Sequence, residues 1–514
     1  MKHIHSRLQK VLPFDAKCRV WNEELGQVKD MATKKKKKIL MVGGEAMPFA
    51  ATGGLGDVLG SLPSSVKAEM KDADVRLVMP LYSAMKDEYR KLLQVECVFE
   101  VSLAWRNQYC GVLSLEKDGV IYYFIDNEYY FKRPDMYGNF DDGERYAFFC
   151  KAVMQMMPRL GFYPDILHAH DWQSALTMVY LKTEYRDVPE YKNMKGIYTI
   201  HNIAYQGKYD MGILWDIFGI DYKYASILSY DGCINLMKGA IVCADRVTTV
   251  SPTYSKEIKY PEHSEGLHYI LRENNYKLSG ILNGIDYDYY NPETDGAIKA
   301  TFTADDLSGK AKCKKALQKE CGLPEKKNVP LIAIITRLAG HKGLDLVERI
   351  MEGVVANNDV QLVILGKGEE RYENYFKYLD AKYPDKVKAL ITYDRDLSKR
   401  IYAAADIFVM PSKSEPCGLA QMIASRYGAV PVTRETGGLY DSIKGYYELD
   451  GEIYGNGFTF ANYSEAELKD RIEAALGLYA DCEKWTRLTK KIMNIDFSWN
   501  ISAKKYIEMY ENLC

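Results

Sequence analysis

From Ile39 onward, short apolar runs alternate with longer stretches whose apolar residues recur at helical spacing. KKILMVGG, VRLVMP, GVIYYFID, PDILHAHDW, KGIYTIHN and DRVTTVSP are apolar at consecutive positions, so neither face of such a strand is suited to water. Strands of that kind belong to parallel sheets covered by helices on both sides. The same grammar restarts after residue 329 with VPLIAIITRL, VQLVILGKG, VKALITYD, ADIFVMPS and AVPVTRETGG. The pattern predicts an α/β protein with two parallel-sheet domains, over 37–287 and 288–496. Between them, Asn291 to Pro330 carries Pro292, Asp295, Gly309, Pro324 and the charged run Glu325-Lys326-Lys327, and reads as a connector plus one helix. Residues 1–36 show no sustained period before the lysine run Lys34 to Lys38. They are expected to form a loose extension, with Met31 as a candidate natural start and the lysines as a solvated edge.

A length of 514 residues supports the division, because single cores stop growing near ~250–300 residues. With 68 Lys plus Arg against 70 Asp plus Glu, no global positive field recruits nucleic acid or an anionic membrane, so any anion site is local. Eleven cysteines without a C-x-x-C pair argue against a zinc site or a disulfide framework and suit a reducing cytosol. The chain has no apolar run of membrane-spanning length and no secretory h-region, so a cytoplasmic location is expected. Tyrosine is unusually frequent, 41 against 16 Phe and 6 Trp, which suits half-wet cores and the faces of sugar rings alike.

Ligands of open parallel sheets bind beyond the carboxyl ends of the strands, so two such sheets facing each other make a cleft. Polar motifs occur at those ends: GGEAMPFAATGGLGDVLGSLP, HAHDWQSAL and YTIHNIAYQG in the first half, TRLAGHKGLDL, Tyr393 and PSKSEPCGLAQ in the second. Thr52-Gly53-Gly54-Leu55 recurs as Thr436-Gly437-Gly438-Leu439, each after a strand and before a helix, where backbone amides can approach a phosphate or sugar hydroxyl. In this combination and order the chain resembles the bacterial glycogen synthase and plant starch synthase family of retaining glucosyltransferases, from Ile39 to about Tyr506. The resemblance implies a GT-B fold of two Rossmann-like domains around a central cleft, with a C-terminal helix over 497–514 crossing back to the first domain. It also implies ADP-glucose as donor, a growing α-1,4-glucan (glycogen) as acceptor, and no metal or cofactor.

Residue by residue, the resemblance gives Arg337 and Lys342 the donor diphosphate. A forked guanidinium and a compact ammonium both gain as the leaving group becomes more anionic. Glu415, in S-E-P-C-G-L, is placed at the transferred glucosyl unit, with Cys417, Gly418 and Leu419 beside the donor. Cys417 lies at a predicted helix start, where its thiol is expected to ionise more easily. Asp171, His201 and Asn202 fall on the glucose and acceptor side. Gly53, Gly54, Asp57, Asn283, Thr436, Gly437 and Gly438 surround the donor, although Asp57 and Asn283 also fit ordinary turn roles. Tyr393 matches the aromatic that stacks on the base. Two D-x-D triplets, Asp286-Tyr287-Asp288 and Asp394-Arg395-Asp396, are not read as metal sites, since the Arg/Lys pair supplies the cations. One position departs from the family: Ala51 stands where a lysine usually faces the donor phosphate. UDP-glucose or another acceptor, and a non-catalytic glucan-binding role, are the alternatives that this departure leaves open.

Overall fold

The apolar runs form the strands of two sheets. The structure is a computed structural model that describes residues 36–513 and two antiparallel two-residue strands, Arg19–Val20 and Lys29–Asp30. The expected loose extension over 1–36 and a start at Met31 lie almost wholly outside the described residues. No described helix is long and apolar enough to cross a membrane.

The first sheet has nine strands: β1 (Lys38–Val42), β2 (Asp74–Pro80), β3 (Gln94–Leu103), β4 (Arg106–Lys117), β5 (Val120–Asp126), β6 (Ile166–His170), β7 (Lys195–Ile200), β8 (Arg246–Thr249) and β9 (Leu278–Gly280). Their spatial order is β9-β8-β7-β6-β1-β2-β5-β4-β3. From β9 to β5 every pairing is parallel, whereas β4 pairs antiparallel with both β5 and β3. This hairpin corrects the all-parallel expectation. β3 alternates polar and apolar residues and leaves much of its length exposed, as an edge strand with a wet face does.

The second sheet is wholly parallel. It comprises β10 (Leu331–Ile335), β11 (Gln361–Leu365), β12 (Val387–Leu390), β13 (Ile407–Met410), β14 (Val430–Arg434) and β15 (Phe458–Phe460), in the order β12-β11-β10-β13-β14-β15. In both sheets the winding reverses beside the first strand, between β1 and β6 and between β10 and β13. A crevice opens at each such reversal.

The helices that position the site are α1 (Gly54–Glu69), α2 (Pro252–Glu257), α3 (Ser308–Glu320), α4 (Leu344–Asn357), α5 (Arg395–Ala404), α6 (Ala420–Arg426), α7 (Gly437–Ser442), α8 (Glu465–Tyr479), α9 (Cys482–Met493) and α10 (Trp499–Glu511). Leu55, Val58, Leu59, Leu62 and Val66 recur three or four positions apart, so α1 buries one stripe against the first sheet. Helix α10 does the same with Trp499, Ala503, Tyr506 and Tyr510, all in the first sheet's core, and packs on α1. The C-terminus therefore belongs spatially to the first half. Its return path lies beside the outgoing one: Ile285 N–H donates to Phe497 O at 2.8 Å, and Phe497 N–H to the Tyr287 hydroxyl at 2.8 Å.

Candidate active site

At the carboxyl ends of β10 and β13, two loops are fastened together. A side chain at Gly343 would meet Pro411 O at 2.0 Å, so only glycine lets the loops approach this closely, and Lys413 N–H donates to His341 O at 2.9 Å. The approach sets Lys342 Nζ 2.7 Å from Glu415 Oε2, which also accepts from Ser412 Oγ at 3.0 Å. Glu415 is buried, yet Oε1 takes no protein donor among the described residues. Arg337 is exposed and has no carboxylate partner among the described residues; its nearest polar contact is His341 Nε2, at 3.5 Å. Burial and the neighbouring Lys342 and Arg337 charges hold the His341 imidazole below its ordinary range. Among the described residues the site thus holds one neutralised cation, Lys342, and one without a carboxylate partner, Arg337.

At the carboxyl ends of β6 and β7, Asp171 has φ 58°, a conformation that non-glycine residues rarely keep. The turn aims Oδ1 at the backbone N–H groups of His201 (2.7 Å) and Asn202 (3.4 Å). Burial outweighs those two donors and pushes the carboxyl up to about 7. His201 is buried and pushed down to about 3 by desolvation, so it stands neutral. Its Nε2 lies 3.0 Å from His170 Nδ1, and the His170 ring lies on His168, which meets the Tyr510 hydroxyl at 2.8 Å and Thr199 Oγ1 at 2.7 Å. A buried polar chain therefore links the C-terminal helix to the site.

The first glycine loop is held by Glu45, a buried carboxylate that accepts from Thr52 N–H (2.6 Å), Thr52 Oγ1 (2.9 Å) and Gly56 N–H (3.1 Å). A side chain at Gly53 or Gly54 would meet nothing within 4 Å, so packing does not demand these glycines, and the loop surface is open to a ligand. The second loop differs. Gly437 N–H donates to Glu257 Oε1 at 2.9 Å, and Gly438 N–H to Glu415 O at 3.1 Å, while a side chain at Gly438 would strike Cys417 O at 2.1 Å. Thr436 Oγ1 also bonds Glu257. In this structure the Thr436 hydroxyl and the Gly437 amide are taken by a carboxylate from the first half, and the Gly438 amide by the Glu415 carbonyl.

Asp57 faces Arg395 across the cleft, with Nη2 3.6 Å from Oδ1; Arg395 Nε donates to the Tyr393 hydroxyl at 3.0 Å, and Nη1 lies 3.6 Å from Met47 Sδ. The Tyr393 ring is 77% exposed, a free face for stacking. Asn283 Oδ1 is buried with no hydrogen-bond partner among the described residues, as a group awaiting a ligand would be. Cys417 is buried and its thiol is pushed up to about 12, which overturns the expected activation: desolvation wins over the helix start. Gly418 and Leu419 complete the turn into α6. Both D-x-D triplets begin with a turn or cap, since Asp286 Oδ1 accepts from Asp288 N–H and Tyr289 N–H, and Asp394 from Leu397 N–H.

The site thus has two parts, Lys342 with Glu415 and Asp171 with His201 and Asn202, which do not touch each other. Cross-cleft bonds of Arg395 to Asp57, Glu257 to Gly437 and Asp441 to Thr253 (2.8 Å) bring the two sheets' carboxyl ends face to face. Sequence reading missed Glu45, Arg395, Glu257 and His170. Only Glu45 left a signal, as a lone acid in an apolar run before the glycines.

Residues 38–273 match the family described as starch synthase catalytic domain, and residues 316–492 match glycosyl transferases group 1. Glycogen synthases of Clostridium botulinum and Ligilactobacillus salivarius are 49% and 47% identical, each over 93% of this chain and 99% and 100% of their own. The catalytic domain of starch synthase IV from Arabidopsis thaliana, solved with ADP and acarbose, superposes with a TM-score of 0.83 at 35% identity, covering 93% of this chain and 99% of that one. A sucrose-phosphate synthase from Thermosynechococcus elongatus shares the fold at 15% identity and a TM-score of 0.57, covering 93% of this chain and 99% of its own.

Proposed function

Because this chain belongs to the glycogen synthase and starch synthase family of GT-B glycosyltransferases, we propose that it transfers glucose from ADP-glucose to the non-reducing end of an α-1,4-glucan with retention of configuration. The observation that carries this reading is the Lys342–Glu415 ion pair beside the unpaired Arg337. A diphosphate entering between the two cations competes with Glu415 for Lys342. Glu415 then loses its counter-charge next to the glucosyl carbon, where positive charge develops as the C–O bond to ADP breaks, and the cations meet the charge growing on the leaving group. Asp171 and Asn202 receive sugar hydroxyls, and neutral His201 offers a hydrogen bond without adding a cation at an electron-poor centre. Tyr393 stacks on the base. Arg395 of the second domain, held 3.6 Å from Asp57 in the first turn of α1, turns to the donor as Lys342 does, by leaving its carboxylate, and then supplies the positive charge that Ala51 does not. The reading assigns the diphosphate to these side chains and calls on no metal.

Nine cysteines in the described residues are unpaired, in keeping with the reducing cytoplasm proposed for the enzyme. Equal concentrations of ADP-glucose and UDP-glucose, each with glycogen, test the donor assignment. Faster incorporation from ADP-glucose is expected, and equal or reversed rates refute it.

A further inference from the structure

The second sheet carries another cavity at the ends of β10 and β13 opposite the active site, roughly 15 Å away if each residue of strand rises ~3.3 Å. Its volume is about 550 Å³, within the ~300–1,000 Å³ of ordinary small-molecule sites. The floor is built by Lys310 and Lys314 of α3. Lys310 Nζ donates to the carbonyls of Ala403 (3.2 Å), Ala405 (2.7 Å) and Tyr427 (2.8 Å) and bonds no carboxylate among the described residues. Lys314 takes the nearby acid, Asp406, at 2.6 Å, and Asp406 also accepts from Leu331 N–H at 2.8 Å. The floor therefore holds two buried ammonium groups against one carboxylate, and burial drives the Lys310 ammonium down to about 8. On the rim, Lys315 is matched by Glu325 at 3.1 Å, whereas Lys312 and Lys327, both exposed, form no ion pair among the described residues.

Aromatic side chains line the cavity as well, Trp485 of α9 and Tyr479 of α8, whose hydroxyl accepts from Lys314 Nζ at 3.0 Å. Thr489, which also lines the cavity, has a buried hydroxyl with no hydrogen-bond partner among the described residues. An unmatched buried hydroxyl costs free energy that a ligand's polar edge would recover.

We propose that this cavity is a binding site for a small ring-bearing monophosphate. Lys312 and Lys327 hold the phosphate, the rings of Trp485 and Tyr479 cover the apolar body, and the Thr489 hydroxyl meets a polar edge. Excess positive charge over a partly dry floor favours an anion, while the aromatic wall distinguishes a ring-bearing one from free phosphate. The site is separate from the donor cleft and lies at the far ends of the strands that carry Arg337 and Glu415.

Phenyl phosphate is the probe, titrated calorimetrically into the full chain with ADP kept saturating, beside phenol and inorganic phosphate. Phenyl phosphate is expected to bind at least about tenfold tighter than either fragment, and charge reversal by Lys312→Glu with Lys327→Glu to weaken it by at least about tenfold. Both lysines are exposed, so the double variant keeps its fold; unchanged ADP binding verifies this. Thr489→Val, of nearly equal volume, is expected to weaken binding severalfold. Absence of phenyl phosphate binding, equal binding to the charge-reversed variant, or inorganic phosphate binding as tightly as phenyl phosphate would each overturn the proposal.

Discussion

Arg395 and Asp57 come from opposite halves of the chain, yet the guanidinium Nη2 stands 3.6 Å from the carboxylate Oδ1, in the first turn of the helix that follows the first glycine loop. A cation from across the cleft thus stands, paired, beside the helix that the Ala51 loop opens.

This changes what restoring a lysine should do. From the sequence, Ala51→Lys is expected to tighten donor binding, because the loop neighbours Pro48, Phe49 and Ala50 are apolar. With Arg395 in place, an added ammonium is repelled, so Ala51→Lys should leave ADP-glucose affinity level or weaker. Arg395→Ala should weaken it by about tenfold, and Ala51→Lys should recover part of that loss only in the Arg395→Ala background. Titrations of the four proteins at two salt concentrations check the pattern. Independent, additive effects would show that Arg395 does not stand in for a cation at position 51, and an unchanged affinity in Arg395→Ala would remove it from the donor site.

Glu415 and Lys342 should separate in their kinetics. Glu415→Ala is expected to lower turnover by at least about a thousandfold while ADP binds as well as before or more tightly, because Lys342 no longer has to leave a carboxylate. Lys342→Ala should weaken ADP-glucose binding as well as turnover, and it leaves the buried Glu415 without its counter-ion. Isothermal titration with ADP and single-turnover rates distinguish the two.

The Asp171 carboxyl gives a pH dependence. Its value of about 7 in the folded state lies above the unfolded value of 3.8, so the folded protein binds the extra proton between these limits. Its contribution to stability is therefore greatest below about pH 4 and is lost as pH rises to about 7. If the ionised form receives the sugar hydroxyl, kcat/KM should rise through an inflection near about pH 7 that Asp171→Asn abolishes. Persistence of the inflection in that variant would assign it elsewhere.

The two paired crossing segments predict a closure motion. Ile285 and Phe497 are bonded side by side where the chain leaves and re-enters the first half, so rotation is expected at these two segments. Small-angle scattering should show a smaller radius of gyration with ADP and a maltooligosaccharide than without. An identical radius would count against closure.

Much of this architecture was legible because parallel strands buried on both faces leave continuous apolar runs, and because the loops after β1, β6, β7, β10 and β13 carry compact local motifs. The β3–β4 hairpin was not legible, since its alternating residues resemble ordinary surface. Lys342 and Glu415 could be named, but not their ion pair, which depends on the close approach of Gly343 to Pro411. Arg395, Glu257 and His170 act through partners distant in the chain or stacked in the core, and no spacing rule reports such contacts. Cys417 misled because a predicted helix start says nothing about burial, and burial decides its thiol's ionisation.

On the proposed function, donor binding frees Glu415 from Lys342 and glucose then passes to glucan. ADP release from ADP-glucose, measured with and without glycogen, tests it most directly. The native protein is expected to show strong glycogen-dependent release and Glu415→Ala none above background, although that variant still binds ADP. Glycogen-dependent release surviving in Glu415→Ala, or no stimulation of the native protein by glycogen, would contradict it.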